Sequence, residues 1–163
     1  MSSLVAISAG DSVGSKTRAL AAAAGGRLID LLALPADGLL GRATSAEVDE
    51  AVVAASGASM LVVATPVYRA TYSGALKAFF DRFATDALRG TAVVLCATAG
   101  SRDHFLSLDT GGRALVASLG GWAVPTVVYA VSADFVDGEP GPAVLATLRQ
   151  VLDEAASIGR ARP

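Results

Sequence analysis

The 163-residue sequence is poor in residues that form disulfides and metal clusters, with one cysteine and one histidine. A lone thiol excludes an internal disulfide and any cluster of cysteine ligands, and we expect no metal site. An excess of charge of one sign is also missing, because 13 basic side chains against 15 acidic ones leave a net charge of −2. No basic surface for nucleic acid is therefore expected.

Long apolar runs are absent too. The longest, such as residues 91–99, fall far short of the ~20 residues that span a bilayer. The first residues, Met1-Ser2-Ser3, lack a basic segment followed by an apolar signal core. These features predict a cytoplasmic protein without a membrane partner. Cys96 follows the apolar run Val93-Val94-Leu95, which predicts a buried thiol with no chemical role.

The sequence has enough apolar material for one compact core. Its length and its 53% hydrophobic content predict a single domain over residues 1–163. Hydrophobic periodicity predicts strands at 4–8, 27–31, 60–65, 92–97 and 124–131, and helices at 16–24, 46–55, 74–83, 105–119 and 143–157. Strands that are apolar on both faces and are followed by helices favour a covered parallel sheet. The predicted fold is a three-layer, doubly wound α/β domain with a five-stranded parallel sheet.

Two of the predicted helices carry further signals. Thr44 and Glu47 match a capping box at the start of the helix at 46–55. In the helix at 74–83, apolar side chains recur at the spacing of one helix face and predict a stripe that faces the core: Leu76, Phe79, Phe80 and Phe83.

Gly111 and Gly112 interrupt the helical pattern of residues 105–119. Each glycine costs a helix about 1 kcal/mol relative to alanine, so a compensating feature is expected. Close approach of another helix would account for the glycines, and so would a local π-bulge. Which of the two applies is left open by the sequence.

Three loops are expected to build a ligand site. In a doubly wound sheet, ligands bind beyond the carboxyl ends of the strands, where the strand order reverses. The loops that follow the first, third and fourth predicted strands are rich in Gly, Ser or Thr and span residues 8–17, 65–73 and 98–104. Their shared position at one edge of the sheet predicts one site.

The first of these loops, "SAGDSVGSKTRAL", leads from a strand into a helix. Backbone N–H groups and hydroxyls at a helix N-terminus suit a phosphate, although a simple capped helix would also account for the pattern. Residues 10–17, "GDSVGSKT", also approach the phosphate loop of NTPases, except that Ser15 replaces its second glycine. The third strand ends without the Asp that would hold magnesium, so nucleotide hydrolysis is a minor alternative.

The second loop contains the cluster "TPVYRATYSG". Pro66 is expected to end the third strand and to present the backbone of residues 67–70 as a rigid edge for a planar heterocycle. Tyr68 would add a flat face and Arg69 a positive charge. The alternative is a plain strand-to-helix turn in which Ser73 caps the following helix.

Three segments resemble one known family, the NAD(P)H-dependent FMN reductases of the flavodoxin-like class. "TPVYRATYSGALKAFFDRF" carries the most specific likeness. "VAISAGDSVGSKTRALA" resembles the phosphate loop of that family, and residues 96–130 resemble its third flavin loop with the helix and strand that follow. Together these segments cover about two-thirds of the chain. The family includes flavin reductases that serve alkanesulfonate and related monooxygenases.

The resemblance implies FMN and NAD(P)H as cofactors and a set of flavin-binding residues. Ser8, Ser15, Lys16 and Thr17 would hold the phosphate; Pro66, Val67, Tyr68 and Arg69 would meet the ring and ribityl chain; Thr98, Ala99, Gly100 and Ser101 would close the other side. No catalytic side chain is implied, because hydride transfer to flavin needs no base. We therefore expect a structural role for His104.

Three functions remain open at this point. The resemblance favours a reductase that supplies reduced FMN to a monooxygenase. A quinone or azo reductase with retained FMN is the second, and a non-enzymatic electron carrier the third; the near-neutral charge disfavours a carrier, which tends to be strongly acidic. The family also implies a homodimer or homotetramer, with the interface expected near Phe79, Phe83, Leu108, Gly111 and Leu115.

Overall fold

The structure, a computed structural model, describes residues 3–160. Its strands are β1 (Leu4–Ser8), β2 (Arg27–Asp30), β3 (Met60–Tyr68), β4 (Thr71–Tyr72), β5 (Ala92–Ala99), β6 (Trp122–Ala123), β7 (Val128–Val131), β8 (Phe135–Val136) and β9 (Glu139–Pro140). Its α-helices are α1 (Lys16–Ala23), α2 (Ala36–Leu39), α3 (Ala46–Ser56), α4 (Gly74–Phe80), α5 (Arg113–Ser118) and α6 (Pro142–Arg160). A π-helical segment, Leu108–Gly112, precedes α5, and 3₁₀ turns lie at Leu31–Ala33 and Ser132–Asp134. None of the helices within this range is long and apolar enough to cross a membrane.

The main sheet has the order β2-β1-β3-β5, with β6 and β7 both pairing along the outer side of β5. All of these pairs are parallel, and only β4 runs antiparallel, against the end of β3. The order of the strands in the sheet therefore reverses between β1 and β3, as in flavodoxin-like sheets. The predicted doubly wound parallel sheet is confirmed.

Apolar side chains pack on both faces of the sheet. One core contains Ile7, Leu61, Phe79 and Leu108, and the other contains Ala6, Leu20, Val62 and Leu148. This arrangement follows from strands whose side chains alternate between two covered faces. The predicted stripe on the fourth helix is confirmed as core, with Phe79 and Phe83 in an edge-to-face contact at 5.3 Å between ring centroids.

The burial of this stripe corrects the expected interface. Phe79 is fully buried, Phe83 is 9% exposed and Leu108 is 1% exposed within the single chain. These three side chains fill the chain's own core and cannot also present themselves to a second copy. Of the five expected interface residues, Gly111 and Leu115 alone retain partial exposure.

Pro66 does not end β3, contrary to expectation, because the strand continues to Tyr68. The carbonyl of Ala64 accepts the N–H of Ala9 at 2.9 Å and so points towards β1. Two residues later the backbone of Pro66 points the same way, but β1 has already ended at Ser8. An N–H at this position would have no acceptor on a neighbouring strand, so its absence in proline removes no hydrogen bond. The pairing of β3 with β5 therefore continues through Pro66.

Only the second half of the fifth predicted strand, at 124–131, is a strand in the structure, as β7, while β6 lies just before the predicted range. Between them the guanidinium of Arg113 donates to the carbonyl of Val124 at 2.7 Å and to that of Pro125. Pro125 has no N–H to donate to β5, and the carbonyls of Val124 and Pro125 accept from Arg113 instead. Pairing with β5 is therefore interrupted between β6 and β7. The break could not be seen in the apolar pattern.

Two helix starts are settled by capping contacts. Ser45, not Thr44, caps α3 and accepts the N–H of Val48 at 3.3 Å, while donating to Glu47 at 2.8 Å. Ser73 caps α4, as the alternative interpretation of the second loop proposed, and accepts the N–H of Leu76 at 3.3 Å. Lys77 of α4 forms an exposed ion pair of 2.5 Å with Asp81, the residue that follows the helix.

Gly111 and Gly112, in the predicted helix at 105–119, lie in the π-helical segment Leu108–Gly112, so the π-bulge is confirmed. Gly111 approaches Thr71 and Tyr72 of β4, and a β-carbon added there would lie 3.3 Å from Thr71 Oγ1 and Tyr72 Cε1. The close neighbour is thus the second loop and not another helix. The hairpin of β8 and β9 was not predicted, because its strands have only two residues each.

Candidate functional site

An open cleft lies at the carboxyl edge of the sheet, where the strand order reverses between β1 and β3. It is lined by Asp11, Ser12, Ser15, Lys16, Thr17, Pro66, Val67, Tyr68, Thr98, Ala99, Gly100 and Ser132. These residues come from the loops after β1 and β5, the end of β3, and the turn after β7. The structure thus brings the three expected loops to one place.

Nine of the twelve expected site residues line this cleft, and three do not. Ser8 is fully buried beneath the first loop, where its Oγ accepts the N–H of Gly10 at 3.5 Å. Arg69 is exposed at the tip of a hairpin outside the cleft. Ser101 is turned to Asp103, to which its hydroxyl donates at 2.8 Å.

The first loop is shaped by a contact that only glycine allows. A β-carbon at Gly10 would lie 2.2 Å from Ser15 Oγ, so any other residue there would displace the serine. Ser15 caps α1 by accepting the N–H of Arg18 at 3.1 Å. The backbone N–H groups of Lys16 and Thr17, at the start of α1, have no acceptor within the helix.

A buried hydrogen bond joins the first loop to the third. The hydroxyl oxygens of Thr17 and Thr98 lie 2.6 Å apart, and the two residues are 3% and 7% exposed. A buried hydroxyl pair of this kind fixes both side chains, because leaving either unpaired would cost free energy. It sets the distance between the start of α1 and the end of β5.

The second loop is a tight hairpin between β3 and β4. Its two turn residues, Arg69 and Ala70, have φ of 51° and 62°, a left-handed conformation that is uncommon outside glycine and asparagine. Thr65 Oγ1 accepts the N–H of Ser73 at 3.0 Å, and the Ser73 hydroxyl donates to the carbonyl of Ala9 at 3.2 Å. These bonds brace the hairpin against the first loop.

Sequence reasoning missed three residues of the cleft: Asp11, Ser12 and Ser132. Asp11 and Ser12 belong to a loop that was singled out, but neither was named. Ser132 follows β7, whose end was not counted among the site loops although it reaches the same edge. The signal that could have found Ser132 is its place directly after a predicted parallel strand.

Asp11 and Tyr68 meet across the cleft. The Tyr68 hydroxyl donates to Asp11 Oδ2 at 2.6 Å, and this hydrogen bond raises the pKa of the phenol above its ordinary value. Tyr68 nevertheless keeps 49% of its surface exposed. The contact links the first loop to the end of β3 and holds the carboxylate of Asp11 in the lining of the cleft.

A second, more apolar cleft adjoins the first. It is lined by Ala70, Asp103, His104, Phe105, Leu106, Ser107 and Thr110, so the second and third loops each contribute to both clefts. Phe105 and Leu106 are 56% and 54% exposed. Within residues 3–160, no group of His, Cys, Asp or Glu side chains has an arrangement that could hold a metal ion.

Comparisons with known proteins agree with this geometry. Residues 2–135 match the family model described as NADPH-dependent FMN reductase. The chain is 44% identical over 92 residues to the NADH-dependent FMN reductase SfnF of Pseudomonas fluorescens strain Pf0-1, covering 56% of this chain and 49% of that one. It is 40% identical over 99 residues to the NADH-dependent FMN reductase SfnE of Pseudomonas putida, covering 61% and 53%.

A solved structure extends the likeness over the whole fold. The apo form of an NADH:FMN oxidoreductase, EMOB, superposes with a TM-score of 0.87 at 35% identity, covering 100% of this chain and 98% of that one. The sequence alignments are shorter, and in them the chain spans about half the length of the curated relatives it matches.

Proposed function

The chain belongs to the NADPH-dependent FMN reductase family, and from that premise we propose that it reduces FMN with NADH or NADPH as the hydride donor. The observation that carries the proposal is the cleft at the reversal of strand order, where the start of α1 faces the ends of β3 and β5. A phosphate group and a planar ring have separate, suitable neighbours there.

The hydrogen-bond donors at the end of the cleft formed by the start of α1 suit a phosphate monoester. The N–H groups of Lys16 and Thr17 point out of the start of α1, and the hydroxyls of Ser12 and Ser15 lie beside them. The contact between Gly10 and Ser15 keeps this turn compact. We propose that Ser12, Ser15, Lys16 and Thr17 hold the FMN phosphate.

The other end of the cleft suits a flat, partly exposed ring. Pro66, Val67 and Tyr68 form one side, and Thr98, Ala99 and Gly100 form the other. The cleft volume is about 220 Å³, below the ~300–1,000 Å³ of sites that enclose a ligand. A bound flavin would thus remain accessible to a second substrate.

FMN, when bound, would supply the redox chemistry between the nicotinamide and the final electron acceptor. The role of the protein's own residues is to hold the flavin, to orient it and to shield part of it from water. The braced hairpin fixes the wall at Val67 and Tyr68, and the Thr17–Thr98 bond fixes the opposite wall. Such positioning requires no proton transfer from a side chain. His104 lines the neighbouring cleft.

The fate of the reduced flavin is part of the proposal. We propose that it is released in the cytoplasm to a flavin-dependent monooxygenase. Retained FMN that reduces a quinone or azo compound, or that hands electrons to a protein, would make the chain a different kind of flavoprotein. Gel filtration of the FMN-loaded protein distinguishes these outcomes, because a released substrate separates from the protein.

Titration of the purified protein with FMN, FAD and riboflavin, followed by NADH or NADPH, tests the activity. FMN should bind more tightly than FAD, because the phosphate end closes on a terminal monophosphate. NAD(P)H oxidation should depend on added or bound flavin. Equal affinity for FMN and FAD, turnover without flavin, or tight magnesium-dependent ATP binding would contradict the proposal.

A further inference from the structure

We propose that Asp11 weakens the hold of the cleft on the FMN phosphate, so that the flavin exchanges with solvent instead of staying bound. The proposal rests on the proposed function and concerns how long FMN remains in that same site. Asp11 would be a residue that sets affinity and exchange, without a part in the hydride transfer itself.

The charges that line the cleft are balanced. Among its lining residues, Asp11 and Lys16 carry charge, one of each sign. The Lys16 ammonium lies 5.8 Å from the centre of the Phe135 ring, in cation–π range, which holds it towards the hairpin of β8 and β9. The lining therefore offers a doubly charged phosphate no excess of positive charge.

Two nearby arginines are engaged elsewhere. Arg18, on the first turn of α1, pairs with Asp30 at 3.0 Å, and Arg102, in the third loop, pairs with Asp134 at 3.0 Å. Neither guanidinium lines the cleft. A site built to retain a phosphate commonly uses arginine as a bidentate partner. In this site Arg18 and Arg102 are held by carboxylates, and Arg69 lies outside the cleft.

Tyr68 keeps the carboxylate of Asp11 at the cleft. An exposed aspartate could otherwise turn into solvent, where water would screen it. Its 2.6 Å bond to the Tyr68 hydroxyl fixes it over the wall of the site. The phenol donates a hydrogen bond but brings no positive charge. The negative charge of Asp11 therefore persists in the loop that also carries Ser12 and Ser15, two of the residues proposed to hold the phosphate.

The consequence is specific to the phosphate. A fixed negative charge repels the phosphate of FMN but not riboflavin, which has the same ring and no phosphate. Asp11 should therefore lower the preference for FMN over riboflavin. Because the repulsion acts between charges near the surface, it should also fade as ionic strength rises.

The test compares Kd for FMN and for riboflavin in the wild type and in Asp11→Asn, by quenching of flavin fluorescence at low salt. Asparagine keeps the size and can still accept the Tyr68 hydrogen bond. We expect FMN to bind about tenfold more tightly, with riboflavin unchanged, from one charge removed at short range. Asp153→Asn, an exposed aspartate on α6, is the matched control and should change neither Kd.

The outcomes separate the two proposals. A wild type that binds neither flavin would remove the proposed function, and this inference with it. If the wild type binds FMN but Asp11→Asn leaves the FMN-to-riboflavin ratio unchanged or lowers it, the inference alone is wrong. An equal gain for both flavins would assign the effect to contacts with the ring and would also overturn it. The gain for FMN should shrink in high salt, and a gain that persists there would contradict a charge effect.

Discussion

Gly100 lies in the wall of the cleft, and a β-carbon added there would meet no atom within 4 Å. Its backbone is not left-handed, so a side chain adds no strain. We predict that Gly100→Leu leaves the melting temperature nearly unchanged but weakens FMN binding at least about tenfold, because the side chain occupies ligand space. Isothermal titration calorimetry with FMN would measure the loss.

Gly74 offers a matched control for this substitution. It also has open space around it, but it begins α4 and does not line the cleft. Gly74→Leu should leave FMN affinity unchanged. Equal FMN binding by the two leucine variants would show that the flavin does not use the wall at Gly100.

Tyr68 should ionise at unusually high pH. The hydrogen bond to Asp11 raises its pKa above the ~10 of an unfolded tyrosine. The stabilisation is therefore fully present below pH ~10 and is lost as pH rises through the higher pKa of the folded state. Burial also raises the pKa of Tyr129, so ultraviolet titration at the tyrosinate band should show two phenols that titrate late. Asp11→Asn should move one of the two, Tyr68, to lower pH. An unchanged titration in that variant would contradict the contact.

Among the elements, the π-helical segment makes a sharp prediction about its two glycines. A β-carbon at Gly112 would lie 3.2 Å from Leu95 Cδ1 and 3.2 Å from Leu108 Cβ, both in the core. We expect Gly112→Ala to lower the free energy of unfolding by about 1–3 kcal/mol through overpacking, despite alanine's better helix propensity. Urea unfolding would measure the change.

The neighbouring glycine is the control for that experiment. At Gly111 the close atoms belong to Thr71 and Tyr72, and Thr71 is exposed and free to move. Gly111→Ala should therefore change stability by less than about 1 kcal/mol, as propensity and crowding offset each other. A larger loss at Gly111 than at Gly112 would mean that the hairpin of β3 and β4, not the core, limits this segment.

The elements also show what sequence patterns can and cannot determine. Leu4–Ser8 and the start of α4 at Ser73 follow from local patterns, since apolar residues and caps act within a few positions. The division between β6 and β7 does not, because it depends on Arg113 reaching carbonyls 11 and 12 residues away. The prediction that Pro66 ends β3 was wrong for a similar reason, because the effect of a proline on a strand depends on its neighbours, and here β1 has already ended at Ser8.

The candidate site likewise has features that the sequence could predict and features that it could not. The meeting of three loops could be predicted because parallel strands end at one edge of a sheet. The contact between Asp11 and Tyr68 could not, because it joins side chains 57 residues apart whose directions are set by the hairpin after β3. Arg69 was expected in the site for its charge, yet the hairpin turn carries it outside.

For the molecule as a whole, self-association stays a prediction, with a different surface from the one first expected. Phe105 and Leu106 are adjacent, exposed and close to the candidate site. We predict a homodimer or homotetramer that buries them, because adjacent exposed apolar side chains favour an interface. Sedimentation of the wild type and of a Phe105→Ser, Leu106→Ser variant would test this.

Val53→Ser supplies the comparison for the assembly experiment. Val53 is 71% exposed on α3, away from the second cleft. Its replacement should leave the mass in solution unchanged, whereas the double variant should dissociate. A wild type that sediments as a monomer at micromolar concentration would remove the prediction.

The bond between Thr17 and Thr98 also has a consequence for the order of events during synthesis. The two residues are 81 positions apart, so the ribosome completes β1, α1 and β3 long before the partner of Thr17 exists. A nascent chain that ends before β5 has one wall of the cleft and nothing opposite it. If FMN binds as proposed, it would meet both walls of the cleft only once β5 is in place, so it should stabilise the assembled sheet more than the amino-terminal half.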